Sequence, residues 1–233
     1  MGGYISIPVC YAGWILGIPY ELFELNAVPG KAALFLSKRA SKIYCCLPQA
    51  VPYFKPAHAS LHEYPVRFTQ QDKISKEIAR EHLGINTCKK VLLVLGGSQG
   101  SEFINSLVMH RAAKSLVIRD NWFIVHQAGA GKIAAARDFY AMHSITARVF
   151  DYSTSMALYY AAADLVITRA GAGTLFELLF FQRPALIIPL ETHTTDHQKS
   201  NAYAFAQVYG QLYTVIEQNQ LEHNPDLLTA KLK

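Results

Sequence analysis

Three polar segments interrupt apolar runs of this chain, and their residue types suit the binding of phosphates and sugars. The first is Gly96-Gly97-Ser98-Gln99-Gly100-Ser101. Glycines let a backbone approach a phosphate closely, and a helix starting here would offer unpaired N–H groups and the positive end of its dipole. Gly97, Ser98 and Gln99 are the candidate contacts, with the Ser98 hydroxyl as an added donor. One anion at a helix start gains about 0.3–1 kcal/mol when exposed and up to about 2 kcal/mol when partly buried. The spacing is neither the G-x-x-x-x-G-K-[ST] of a P-loop nor the G-x-G-x-x-G of a dinucleotide fingerprint. A plain tight turn is the alternative reading. The second segment is Arg169-Ala170-Gly171-Ala172-Gly173-Thr174, with Glu177 one turn further on. A carboxylate there could accept both hydroxyls of a ribose, each bond being worth roughly 1.5–3 kcal/mol, or could merely complement the helix dipole. The third is His193-Thr194-Thr195-Asp196-His197-Gln198, followed by Asn201. Helix capping by Thr195 or Asp196, a metal site and hydrogen bonding to sugar hydroxyls are all open here. No matching fourth ligand is evident, so no metal is expected.

A parallel sheet would bring these segments together. From residue 91 onward short apolar runs alternate with helical patterns. Strands are expected at 91–95, 122–127, 145–150, 165–168 and 185–189. Helices are expected at 102–117, 132–143, 153–163, 174–181 and 196–208. Such alternation predicts an α/β fold, a doubly wound parallel sheet that binds ligands beyond the carboxyl ends of its strands. Upstream, strands are expected at 17–23 and 43–47 and a helix from Pro29 to about residue 40. Residues 48–63, with three prolines, read as a linker. Thr69-Gln70-Gln71-Asp72 has capping-box character before a helix that Gly84 closes.

Of the 233 residues, 51% are hydrophobic and 17% charged, enough apolar material for a core and too little charge for disorder. The net charge of +5 is scattered without a basic stripe, which argues against nucleic acid as a partner. The four cysteines form no C-x-x-C pair, which reads as reduced thiols in the cytoplasm. The first twenty residues carry no charge, but two prolines and several glycines break the run, so neither a signal peptide nor a membrane span is expected.

These segments, in this order, resemble the MurG family of N-acetylglucosaminyltransferases, which complete lipid II in peptidoglycan synthesis. The matching stretches are Gly2-Gly3-Tyr4, residues 24–30 (ELNAVPG), Pro65-Val66-Arg67, residues 96–100 (GGSQG), residues 169–177, and Asp196-His197-Gln198 with Asn201-Ala202. The resemblance implies a GT-B fold, with residues 1–62 as the remainder of an N-terminal Rossmann-like acceptor domain plus linker and 63–233 as the UDP-sugar-binding domain. It implies that Ser98 and its loop hold the diphosphate of UDP-N-acetylglucosamine, with Arg67 adding positive charge. The backbone near Ser153 would read the uracil and Glu177 the ribose. Ala172, Gly173 and Thr174 would present N–H groups to phosphate or sugar. His197, Gln198 and Asn26 would contact the N-acetylglucosamine. The reaction would invert configuration at the sugar and need no cofactor. The acceptor would be lipid I, at the cytoplasmic face of the bacterial inner membrane, where the protein would be peripheral. Tyr11-Ala12-Gly13-Trp14-Ile15-Leu16 is either the membrane-contacting stretch or a buried helix.

The departures from the family also set expectations. The family's glycine-rich loop and its histidine would precede Met1, so no catalytic residue is expected within the chain. Phe23 and Leu25 stand where the family has His and Gln, and Phe23 cannot transfer protons. The chain also stops short of the family's C-terminal helices. A transferase that is incomplete here or completed by sequence upstream of Met1, a donor-binding subunit whose partner protein supplies the N-terminal half, and an inactive truncated copy remain distinct readings; a UDP-N-acetylglucosamine 2-epimerase is disfavoured by GGSQG and DHQ. Open strand edges in the N-terminal segment predict that the isolated chain associates or aggregates. Sedimentation at several concentrations tests this, and a concentration-independent monomer with one cooperative melt would contradict it.

Overall fold

A computed structural model describes residues 3–85, 88–97, 99–190 and 197–232 of the chain. Among these residues two parallel sheets form. The smaller contains β1 (Glu21–Glu24), β2 (Lys42–Cys45) and β3 (Ala59–Leu61), in that spatial order. Helix α1 (Ser6–Ile15) precedes it and α2 (Lys31–Leu36) joins β1 to β2. Strand β1 starts four residues later than the sequence suggested. Gly17 takes a positive φ of 71°, and Pro19 cannot donate to a ladder. The expected linker instead contains a 3-10 turn at Pro48–Tyr53 and the third strand, which is too short and too weakly β-branched to announce itself.

The larger sheet begins after α3 (Lys76–His82). Its strands are β4 (Lys90–Leu95), β5 (Trp122–Gln127), β6 (Ala147–Phe150), β7 (Leu165–Thr168), β8 (Ala185–Ile187) and β9 (Tyr213–Val215). The spatial order is β6-β5-β4-β7-β8-β9, all parallel, so the chain order reverses between β4 and β7. The connecting helices are α4 (Glu102–Lys114), α5 (Leu116–Asn121), α6 (Ile133–Met142), α7 (Met156–Ala162), α8 (Ala172–Phe180) and α9 (His197–Val208); α10 (Gln218–His223) and α11 (Asp226–Lys231) follow β9. The helix expected over 102–117 breaks at Ser115, whose hydroxyl accepts from the Ile118 amide and caps α5.

Every residue of β4 from Val91 to Leu95 is buried, and alternate residues serve opposite faces. Val91, Leu93 and Leu95 join a core that includes Leu175 and Leu178 of α8 and Phe205 of α9. Leu92 and Val94 join another with Ile104 and Val108 of α4, Ile118 of α5 and Leu228 of α11. Helices thus cover both faces of the sheet, as a parallel sheet requires. Asp164, at the turn into β7, ties α3 to the sheet by accepting from Lys76, Arg80 and the Val91 amide. Burial acts to raise its carboxyl. The bonds from Lys76 and Val91 and the Arg80 charge outweigh that and leave it below the usual range.

One polar network crosses the second core. His126 of β5 is fully buried, with Nδ1 2.8 Å from the Tyr140 hydroxyl and Nε2 3.0 Å from Asn105 Oδ1. Asn105 donates its amide to the Ala128 carbonyl, so its oxygen must accept and His126 Nε2 carries the proton. Burial holds the imidazole neutral by lowering its pKa from 6.5 to about 4. The unfolded chain therefore takes up this proton first, and the stability it supports is complete above pH 6.5 and lost toward pH 4. Over that window the loss is about 3 kcal/mol. Urea unfolding at a series of pH values should show the wild type losing more stability than His126→Gln on acidification; parallel curves would remove His126 as the cause.

Candidate functional site

The reversal of strand order places the carboxyl ends of β4 and β7 side by side, and each leads into a helix. The β4 loop ends in Ser101, whose hydroxyl accepts from the Ile104 amide and caps α4. The β7 loop ends in Gly171, the residue before α8. The two helices pack on opposite faces of the sheet, so their N-termini flank one crevice. Arg169 crosses it. Its guanidinium donates to Ser101 Oγ at 2.8 Å and to the carbonyls of Ile188 and Pro189 at 3.2 Å. Arg169 is only 8% exposed, and these acceptors offset the cost of burying its charge.

The cleft so formed has a volume of about 630 Å³ and is lined by Gly97, Lys132, Arg169, Thr174, Gln198 and Gln218, among others. Two cations, Arg169 and Lys132, one carboxylate, Glu102, 3.8 Å from the Lys132 ammonium, and two helix mouths face it, which leaves a net positive setting for an anionic group. Glycines are required where the backbones touch. Gly100 has φ +70°, and a Cβ there would stand 2.1 Å from the Ala128 carbonyl oxygen. Gly97 also has a positive φ, but open space around its Cβ position.

The residues singled out from sequence fall into three places. Gly97, Thr174 and Gln198 line the cleft, with Gln99 in the same β4 loop and Ala172 and Gly173 in the first turn of α8. Gln198 uses its carbonyl structurally, accepting from the amides of Ala170 and Leu190 at 3.2 and 3.0 Å. Its Nε2 amide is left as the group that could donate to a ligand. Arg67 and Glu177 meet each other, with Arg67 Nε 2.9 Å from Glu177 Oε1. The other carboxylate oxygen accepts from the Tyr160 hydroxyl at 2.7 Å. Asn26 and His197 lie on the seam between the two sheets. Asn26 binds Glu24 Oε1 through its backbone and side-chain amides and accepts from Asn201 at 3.1 Å. His197 Nδ1 is 3.0 Å from the Val28 carbonyl oxygen. Ser153 follows the edge strand β6, its hydroxyl accepting from the Ser155 amide. Ser98 lies outside the described residues, as do His193, Thr194, Thr195 and Asp196. Among the described residues no group of three or more His, Cys, Asp or Glu side chains could hold a metal ion.

The sequence by itself assigns no role to Arg169, Lys132 or Tyr160. Arg169 had a signal, as the one cation inside an apolar strand-to-loop run. Lys132 and Tyr160 had none, because their part depends on which loops the sheet brings together.

Residues 91–233 match the glycosyltransferase family 28 C-terminal domain. The chain belongs to this family. Its family 28 relatives include a Clostridium kluyveri protein named UDP-N-acetylglucosamine–N-acetylmuramyl-(pentapeptide) pyrophosphoryl-undecaprenol N-acetylglucosamine transferase, 35% identical over 100% of this chain and 63% of the relative. A Myxococcus xanthus protein of the same name is 33% identical over 88% of this chain and 52% of its own length. The crystal structure of MurG from Acinetobacter baumannii superposes with a TM-score of 0.74 at 28% identity, covering 100% of this chain and 63% of that one. The chain thus spans about half to two-thirds of the length of these relatives. The fold is α/β of the GT-B type, with a six-stranded Rossmann-like sheet as the larger unit among the described residues.

Gly100→Ala should cost roughly 2–4 kcal/mol, from the positive φ and the backbone collision together, whereas Gly97→Ala should cost about 1 kcal/mol. Equilibrium urea unfolding of both variants measures the difference, and equal losses would show that the β4 loop yields to an added methyl group.

Proposed function

We propose that this chain binds UDP-N-acetylglucosamine in the crevice between β4 and β7 and belongs to an inverting transferase that passes the sugar to lipid I, forming lipid II. The observation that carries the reading is the convergence of the α4 and α8 mouths on one cleft, bridged by Arg169. The names of the relatives, which specify UDP-N-acetylglucosamine and a muramyl-pentapeptide pyrophosphoryl-undecaprenol, support this choice of donor and acceptor. Residues 63–233 are the donor domain and 1–62 a part of the acceptor-side domain.

On this reading the backbone of Gly97, Ser98 and Gln99 and the amides of Ala172, Gly173 and Thr174 surround the diphosphate. Glu177 accepts the ribose hydroxyls, and the backbone near Ser153 reads the uracil. The Nε2 amide of Gln198 donates to the sugar, with His197 and Asn26 closing the site from the seam. The acceptor hydroxyl attacks the sugar C1 from the face opposite UDP. The new C–O bond forms as the bond to the diphosphate breaks, and the configuration inverts. Negative charge grows on the leaving diphosphate, where helix dipoles and the nearby cations Arg169 and Lys132 stabilise it. No residue of the chain is assigned the base that removes the acceptor proton. Helix α1 exposes Val9, Trp14 and Ile15, an apolar surface suited to a peripheral place on the cytoplasmic face of the inner membrane, close to a lipid-linked acceptor. Among the described residues no helix is long and apolar enough to cross a membrane.

Calorimetric titration with UDP tests the donor site. Glu177→Ala should weaken binding by about 1.5–3 kcal/mol, and an unchanged affinity would take Glu177 out of the ribose role.

A further inference from the structure

The two oxygens of Glu177 have unlike partners. Oε2 accepts from Tyr160, which is 2% exposed and held by ring contacts to Phe181 at 5.4 Å and Phe68 at 6.1 Å. Oε1 pairs with Arg67, whose side chain is 55% exposed, while that of Glu177 is 15% exposed. A buried ring on helix α7 cannot leave its place without opening the core, whereas a guanidinium that is more than half exposed, held otherwise by a contact 5.0 Å over the Phe68 ring, can turn away at lower cost. Burial, and then the charge of Glu177, push the Tyr160 hydroxyl well above the usual tyrosine range, so it stays a donor throughout the neutral range.

Resting on the proposed donor site, we infer that Tyr160 is a positioning residue for the nucleoside: its hydroxyl fixes the Glu177 carboxylate so that Oε1 faces the ribose, and Arg67 is the exchangeable partner that yields this oxygen to the sugar diol. Arg67 occupies Oε1 with an N–H donor, as a ribose hydroxyl would with O–H. Once displaced, its guanidinium is free to face the diphosphate. Tyr160 has no such exchange open to it and acts only through the carboxylate.

The test compares UDP with 2′-deoxy-UDP, titrated calorimetrically into the full chain, because only UDP offers both ribose hydroxyls. The wild type should prefer UDP. Tyr160→Phe keeps the ring and removes one oxygen, and it should lower UDP affinity roughly threefold to tenfold. It should also reduce the preference for UDP over the deoxy ligand by a similar factor. A loss of packing alone would weaken both ligands equally and leave their ratio intact. In the double variant Tyr160→Phe/Glu177→Ala, the tyrosine change should cost nothing beyond the loss from Glu177→Ala.

Retention of the full UDP preference in a folded Tyr160→Phe protein overturns the positioning role alone. Equal binding of both ligands by the wild type overturns the ribose role of Glu177, and the inference falls with it. A Tyr160→Phe loss that persists in the Glu177→Ala background shows that Tyr160 acts by another route and also overturns the inference.

Discussion

β4 and β7 lie next to each other in the sheet although two other strands separate them in the chain. Their helices leave toward opposite faces, so among the described residues no element fills the space beyond their carboxyl ends. This leaves a crevice flanked by two helix N-termini, whose first-turn amides have no partner within their own helix ladder. Arg169 is the interaction that keeps this arrangement closed at its base. Through three acceptors it links the turn after β7, the end of β8 and the cap of α4. A lysine would not serve equally, since a compact ammonium lacks the planar fork that spans separated acceptors. The same guanidinium leaves positive charge at the crevice floor, so structural closure and anion affinity come from one group.

The seam between the sheets meets the crevice at the same loop. Asn201 is 1% exposed and uses its whole side chain here. Its oxygen accepts from the Ala27 amide, and its nitrogen donates to Asn26 Oδ1 and, at 3.4 Å, to the Ala170 carbonyl. Gln198, one turn earlier on α9, accepts from the Ala170 amide. Ala170 is therefore held on both sides by α9, and α9 in turn holds the loop of the smaller sheet through His197 and Val28. A change in the angle between the sheets would act directly on the loop that opens α8. On the proposed reading, with the acceptor on one side and the donor on the other, such a joint would couple closure to donor contacts.

Much of this was legible in the sequence where one period dominates. The strands at 122–127 and 165–168 match the structure residue for residue, because each opens on an apolar run, Trp122–Val125 and Leu165–Ile167, and closes on polar residues at the mouth of a loop. The glycine-rich helix start after β4 was legible because the close approach of Gly100 to Ala128 leaves no room for a side chain. Less was visible where stability comes from distant partners. β3 has three residues and gains its place from pairing with β2, not from its own propensity. β9, α10 and α11 follow the last strong periodic segment, and they are held by contacts such as Arg111 with Asp226, more than a hundred residues apart in sequence. For the site, residue types were legible but their partners were not. Nothing local tells that Arg67 meets Glu177 or that the Gln198 carbonyl is spent on two backbone amides.

The self-pairing of Glu177 carries a further consequence for affinity. A partly buried carboxylate needs donors whether or not a ligand is present, because an unpaired one loses its hydration without return. Tyr160 and Arg67 supply those donors in the empty site. On the proposed reading a ribose therefore exchanges one donor set for another, and the net gain at Glu177 is the difference between diol and guanidinium. That difference stays favourable because Arg67, more than half exposed, returns to water or to the diphosphate when released, and neither outcome strands its charge. The exchange also discriminates among ligands. On that reading a nucleoside without a diol would leave Arg67 in place, and one without a diphosphate would return it to water and forgo only the added anion contact. Only a molecule carrying both satisfies the carboxylate and the cation together.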